Sequence, residues 1–286
     1  MGACEMKTIV IALLLSISCN VFAQSLDDGF AAHDRGDYGE AFNIFLPLAQ
    51  EGNAEAQAMI GYLYGTGNGV PQNDDAALRW YTSAAEQGYA LAQLNLGIMY
   101  ENVRAGSGGV GLAQRWYRLA AEQGNAEAQF RVGSFSETLA EIAGTTNRIP
   151  GSVRIEPDKE YATALRWYTL AAEQGHIEAQ YNLAMMYAEG RGIPQNNTEA
   201  VNWLRLAAVQ GYADAQYRLG LAYGSGQGVP ENDIRAYVWF SVSAAQGNEN
   251  ARGNRDGVRD KLTPSQLAQA QEQSTRCFES DFQDCE

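Results

Sequence analysis

Histidine and cysteine are scarce in this 286-residue chain. His33 and His176 are its only histidines, and no cysteine stands between Cys19 and Cys277. A structural zinc site needs about four nitrogen or sulfur ligands brought together. Neither histidine lies near the C-terminal cysteines in sequence, so no metal centre is expected, and both histidines are expected at the surface or in turns. The chain also lacks G-x-S-x-G and a phosphate-binding glycine loop ending in Lys-Ser or Lys-Thr. Carboxylates are plentiful, but no pair is singled out, so no glycosidase is read from them. The expectation is no catalytic set, no cofactor and no enzyme activity.

Basic charge is short as well. Twenty Lys and Arg stand against 34 Asp and Glu, a formal net charge of −14. Nucleic-acid affinity comes largely from Lys and Arg on phosphates, so no nucleic acid is expected as partner, nor an anionic membrane surface. Solubility accounts for the excess acid. Long apolar runs are missing too. The uninterrupted run from Ile9 to Leu15 is far below the roughly 20 residues that span a bilayer. It follows Lys7 and precedes Val21-Phe22-Ala23, with small residues at −3 and −1. That pattern predicts a secretory signal over residues 1–23, cleaved after Ala23, and a periplasmic or secreted protein with no stable membrane insertion. Met6-Lys7 is a more natural start than Met1. A lipoprotein reading at Cys19 is the weaker one, because Ser16 sits where a branched aliphatic is expected. In an oxidising compartment Cys277 and Cys285 are expected to close a small loop in the acidic tail, 275–286. The alternative is two free thiols.

What the chain has in abundance is repetition. Trp80-Tyr81-Thr82-Ser83-Ala84-Ala85-Glu86-Gln87-Gly88 returns at Trp116, Trp167, Trp203 and Trp239. The tryptophans stand 36 residues apart, except for 51 between Trp116 and Trp167. A fixed period of this size means stacked supersecondary units. Five units follow: 54–89, 90–125, 126–176, 177–212 and 213–248. Each opens with x-x-A-Q, ending at Gln57, Gln93, Gln129, Gln180 and Gln216. These glutamines lie on the edge of the buried stripe, where their expected task is to hydrogen-bond backbone at a helix–helix turn. In the first unit Ala56, Ile60 and Tyr64 share one helical stripe with Gly61 beside them. Gly61 lets a neighbouring helix come close. Gly65 to Pro71 makes the turn, and Asn73 or Asp74 caps a second helix that presents Trp80, Tyr81, Ala84 and Ala85 inward and stops at Gly88.

Residues 24–53 read as a capping helix pair broken at Gly36-Asp37-Tyr38, similar to a tetratricopeptide unit. The second repeat replaces the G-x-G-V-P turn by Glu101 to Gly109. The third has Ser136 in place of the helix tyrosine and holds the 15 extra residues, expected as a loop over about 138–157. That loop is either functional or a tolerated insertion. After Asn248 the period stops. Residues 249–274 are expected as C-terminal capping helices, with Thr263-Pro264-Ser265-Gln266 a strong helix start for a helix through about Gln273.

The pattern A-x-A-Q-x-x-L-G-x-x-Y-x-x-G-x-G-V-P, then A-x-x-W-Y-x-x-A-A-x-x-G, resembles the Sel-one-like repeat, a relative of the tetratricopeptide repeat. The resemblance implies an all-α, right-handed superhelix (a solenoid) of antiparallel helix pairs that acts as a scaffold or adaptor for a protein or peptide. Some relatives have been linked to penicillin binding and hydrolysis, which makes an envelope enzyme or cell-wall-binding protein the runner-up. Those relatives carry cysteines within their repeats, and this chain does not. A virulence or host-interaction factor is the third reading.

Count Ala54, Ala90, Ala126, Ile177 and Ala213 as position 1 of their units. The buried set hardly varies between units, but positions facing away from it do. Position 6 is Met59, Asn95, Arg131, Asn182, Arg218, and position 9 is Tyr62, Ile98, Ser134, Met185, Leu221. These ten residues are the expected partner-binding set of an exposed concave groove, with Arg131 and Arg218 as carboxylate anchors. The bland alternative pairs each arginine with an acid of its own stack, Glu127 or Asp214. Position 5 (Ala58, Leu94, Phe130, Tyr181, Tyr217) fits packing between repeats and ligand contact equally well.

Overall fold

The computed structural model describes residues 25–102, 109–146 and 154–285. The signal sequence expected over 1–23, and its alternative at Cys19, lie outside them. The described residues form fourteen helices and no strand, none of them long and apolar enough to cross a membrane. They fall in two compact units, 1–96 and 97–286.

The first unit holds α1 (Leu26–Asp34), α2 (Tyr38–Gln50), α3 (Ala54–Thr66), α4 (Asp74–Glu86) and the start of α5 (Ala90–Asn102). Ser25 and Asp28 form a capping box at α1: Ser25 Oγ accepts from the Asp28 amide, and the Asp28 carboxylate accepts from the Ser25 amide. Each bond satisfies a backbone donor that the first helical turn leaves unpaired. Phe45, Ile44, Ile60 and Leu63 are buried where α2 meets α3.

The second unit continues with α6 (Gly109–Glu122), α7 (Ala126–Thr146), α8 (Pro157–Glu173), α9 (Ile177–Glu189), α10 (Asn197–Ala208), α11 (Ala213–Ser225), α12 (Asp233–Ala245), α13 (Glu249–Arg259) and α14 (Pro264–Glu279). Helices α7/α8, α9/α10 and α11/α12 pair within repeats, and α8/α9 and α10/α11 pack between them. Asn73, Asn196 and Asn232 cap α4, α10 and α12 through their side-chain oxygens. The turn glycine Gly192, at φ 67°, comes so close to α8 that a Cβ there would sit 2.8 Å from Tyr161 Cβ. Only glycine fits both the backbone and the space.

The first part of the loop expected over 138–157 is helix, through Thr146, and residues 147–153 lie outside the described residues. Helix α7 has 21 residues where α3, α9 and α11 have 13, and α8 begins at Pro157. The reason is an apolar stripe that runs past the usual end: Val132, Ser136, Ala140 and Ala143 are all buried. Ser136, standing where the other repeats carry tyrosine, fits this contact as a small side chain. At the C-terminus Thr263 forms the expected capping box with Gln266. Helix α14 passes Gln273 and ends at Glu279, because Ser274 and Cys277 keep a buried face into the last turns. Cys277 and Cys285 are bonded, with Cα atoms 4.5 Å apart. The loop they close lays Phe282 against Gly211 and lets Gln283 donate to the Val209 carbonyl at 2.8 Å.

Candidate partner-binding junctions

Two layers of contact fix each repeat before any variable position is reached. The first is a glutamine ladder. Gln57, Gln93, Gln129, Gln180 and Gln216 each donate to a backbone carbonyl eight residues earlier, at 3.0–3.1 Å. The acceptors, Ala49, Ala85, Ala121, Ala172 and Ala208, sit in the last turns of the preceding helices, where carbonyls have no intrahelical partner. Four of them, Gln57, Gln129, Gln180 and Gln216, accept at 2.6–2.8 Å from Gln87, Gln174, Gln210 and Gln246 in turn. Both layers of the motif are thereby explained: the buried glutamine ties successive helix pairs, and the glutamine of the E-Q-G ending holds it.

The second layer pairs position 8 with position 28. A Cβ on Gly61, Gly97, Gly133 or Gly220 would lie 2.5–2.9 Å from the ring of Tyr81, Tyr117, Tyr168 or Phe240. Each ring therefore rests on helix backbone. In the fourth repeat both members change together, to Ala184 and Leu204. The methyl group of alanine fills space that the smaller leucine vacates.

The position-28 tyrosines carry a polar relay across the junction. Tyr117 donates to Glu101 at 2.6 Å, and Arg131 of the next repeat reaches the same carboxylate at 3.0 Å while lying 5.5 Å over the Tyr117 ring. One junction on, Tyr168 donates to Glu137 at 2.7 Å and accepts from Asn182 at 3.1 Å. Burial pushes the phenols of Tyr117 and Tyr168 well above their usual range. Burial also raises the Glu137 carboxyl, against the lowering effect of Tyr168 and Arg191. At the next junction the corresponding residues are Ala188, Leu204 and Arg218, and the relay is gone.

The structure places the ten variable residues in the junctions and not on a bare face. Arg218 alone is exposed, Met185 is buried, and Met59, Tyr62, Asn95, Ile98, Arg131, Ser134, Asn182 and Leu221 are half-buried. A helical wheel gives a side chain's direction from its own axis, but the preceding helix pair covers part of that direction. Tyr62, for example, meets the His33 ring edge-on at 5.6 Å. Arg131 takes the bland alternative: it donates to Glu127 at 2.6 Å as well as to Glu101. Arg218 does not. Its neighbour Asp214 accepts from Asn248 instead, and among the described residues Arg218 has no hydrogen bond or ion pair.

Position 5 packs between repeats, and Phe130 also lines the larger of the cavities at these junctions. Phe130 stacks on His176 at 4.7 Å, Tyr181 meets Tyr212 at 5.2 Å, and Ala58 and Leu94 are buried. His176 is more than a turn residue: Nδ1 accepts from the Ala179 amide as the cap of α9, and Nε2 donates to Glu127 at 2.9 Å. That bond, with Arg131, holds the Glu127 carboxyl below the usual glutamate range.

Depressions recur at equivalent places. At the junction of repeats two and three, Glu101, Val110, Tyr117, Arg131, Ser134 and Phe135 line a cavity of about 240 Å³. At the junction of repeats four and five, Met185, Ala188, Leu204, Arg218, Leu221 and Ala222 line one of about 110 Å³. Positions 6, 9, 10, 12 and 28 contribute to both.

The Sel1 repeat family matches residues 54–89, 90–125, 150–176, 177–212 and 213–248. The third match begins at 150, beyond the extended part of α7. A Sel1 repeat protein from Oxalobacter formigenes has a similar structure, with TM-score 0.69 and 31% identity over 88% of this chain and 99% of that one. A protective antigen present in uropathogenic Escherichia coli strains, displaying an SLR fold, has TM-score 0.57 and 26% identity over 94% of this chain and 63% of that one. No curated protein matches the chain. The helix pairs, the five matched repeats and the relative from Oxalobacter agree: the chain belongs to the Sel1 repeat family.

Proposed function

We propose that this chain is an exported adaptor that receives a protein or peptide at the junctions of its second unit. Sel1 repeat proteins are generally non-enzymatic scaffolds for protein interaction. The observation that supports the finer reading is the recurring cavity. The glutamine ladder and the aromatic-on-glycine contacts are repeated almost unchanged, while positions 6 and 9, which line the cavity, differ from junction to junction. Packing demands uniformity at the first set and tolerates specialisation at the second.

The proposed location is the periplasm or the cell exterior, supported by the apolar run and Ala23. N-terminal sequencing of exported protein should find Gln24 first; a lipid-modified Cys19 would place the protein on a membrane instead. For the interaction, Ser134→Arg and Leu221→Arg fill the two cavities, while Asn202→Arg changes an exposed residue that lines neither. Affinity capture from an envelope fraction should recover the same partner with wild type and Asn202→Arg, and lose it with a cavity variant. Equal recovery by all four proteins contradicts the reading.

A further inference from the structure

The junction between repeats four and five differs from its neighbours in three ways at once. The acid at position 12 has become Ala188, the tyrosine at position 28 has become Leu204, and Arg218 has kept its charge without an acceptor. At the earlier junction the equivalent arginine, Arg131, is neutralised by Glu101 and Glu127. The cavity at this junction is walled by Met185, Val201, Leu204 and Leu221 with Asn197 and Gln227 at its polar side, and Arg218 is its one charged lining residue. A cavity of about 110 Å³ is somewhat smaller than the roughly 150 Å³ that admits benzene. It suits one aliphatic side chain.

We infer that this junction binds an extended acidic segment of a partner protein in which a glutamate or aspartate stands two residues before a leucine, isoleucine or methionine. Arg218 takes the carboxylate through charge-assisted hydrogen bonds, and the cavity takes the aliphatic side chain. The spacing follows from geometry. Arg218 and Leu221 are three apart on α11, so their Cβ atoms are about 5–6 Å apart. Residues two apart on an extended chain point the same way and are separated by about 6–7 Å. Charge favours this occupant despite the acidic whole: no acid lines the cavity, Asp214 one turn before Arg218 is already bonded to Asn248, and at physiological salt the field of more distant acids fades within about 8 Å. The inference rests on the adaptor reading and assigns the chemistry of one of its junctions.

The test is fluorescence polarisation with capped, labelled peptides containing Glu-Ser-Leu, Gln-Ser-Leu, Glu-Ser-Ser or Lys-Ser-Leu, so that no terminal carboxylate contributes. Wild type should bind the Glu-Ser-Leu peptide about tenfold or more tighter than the other three. Arg218→Ala should lose that preference for Glu over Gln, and Arg218→Glu should favour Lys-Ser-Leu. Ala188→Glu restores an acid where Glu137 stands one junction earlier and Glu101 two junctions earlier. It should abolish binding by pairing with Arg218 inside the protein, while Arg218 itself is intact. Circular dichroism melting of each variant confirms that the fold is retained. Equal binding of Glu-Ser-Leu and Gln-Ser-Leu, unchanged binding by Arg218→Ala, or no binding of Glu-Ser-Leu at millimolar protein overturns the inference. An envelope partner still captured by Arg218→Ala but lost by Ser134→Arg would overturn it while leaving the adaptor reading standing.

Discussion

Gln210 donates its side-chain amide to the side-chain carbonyl of Gln180 at 2.8 Å, and Gln180 donates in turn to the Ala172 carbonyl at 3.1 Å. One buried side chain thus serves two repeats. Gln180→Leu removes two hydrogen bonds from a buried site, leaving the Ala172 carbonyl with only the Gly175 amide and the Gln210 amide with only the Leu206 carbonyl, at about 0.5–1.5 kcal/mol for each bond lost. Gln210→Ala removes an exposed donor and should cost less, on the order of 0.5–1 kcal/mol. Urea unfolding of the two variants should give that order; the reverse order would contradict the ladder's role.

The exchange of Gly and ring for Ala184 and Leu204 makes a second prediction. A Cβ at residue 220 would sit 2.6 Å from the Phe240 ring, so Gly220→Ala overpacks the contact and should cost roughly 1–3 kcal/mol. Adding Phe240→Leu recreates the pair of the fourth repeat. The double variant should recover part of the loss, a coupling of about 0.5–3 kcal/mol in a double-mutant cycle. Additive losses would mean that the two positions do not sense each other.

Arg131 and Arg218 share a repeat position but not a role. Arg131→Ala breaks two ion pairs and a ring contact in a half-buried site and should cost about 1 kcal/mol. Arg218→Ala should stay within about ±0.5 kcal/mol. Equal melting temperatures for both variants would contradict the junction geometry.

Acid should weaken the third repeat through Glu127. Its folded carboxyl lies below the usual range, first through the His176 hydrogen bond and also through Arg131. A depressed carboxyl contributes stability above its unfolded value and loses it as pH falls through the folded one. Glu127→Gln should therefore be less stable than wild type at neutral pH. The gap should close as pH drops below the ordinary glutamate range, as read by melting temperature against pH. A gap that stays constant down to the acid transition would contradict this assignment.

The Cys277–Cys285 bond holds Phe282 and Gln283 on the end of α10. Closing so short a loop is worth roughly 2–3 kcal/mol. Cys277→Ala with Cys285→Ala, or reductant, should lower the melting temperature of the mature chain; no change would show that the tail does not brace the C-terminal cap.

The repeat period, the glutamines and the asparagine caps were legible because each acts within one unit or recurs in all of them. Gln57 or Asn73 has the same neighbours five or three times over, so internal comparison exposes it. The continuation of α7 was not legible: Ala140 and Ala143 signal a buried stripe only weakly, and Gly144 suggests a stop. The junction relay was hidden for a different reason. Arg131 meets Glu101 across 30 residues of sequence, and nothing local ties Tyr168 to Glu137. The joint change to Ala184, Ala188 and Leu204 was visible in the fourth repeat, but its meaning needed the packing.

The adaptor account is tested most directly by site-specific photocross-linking in the native envelope. A photoreactive amino acid is placed at 134, 218 or 221, in the junctions, or at 166 or 202, exposed positions lining neither cavity. The account predicts one discrete partner adduct from the junction positions and none from 166 or 202. Adducts from 166 or 202 with silence at the junctions would contradict it.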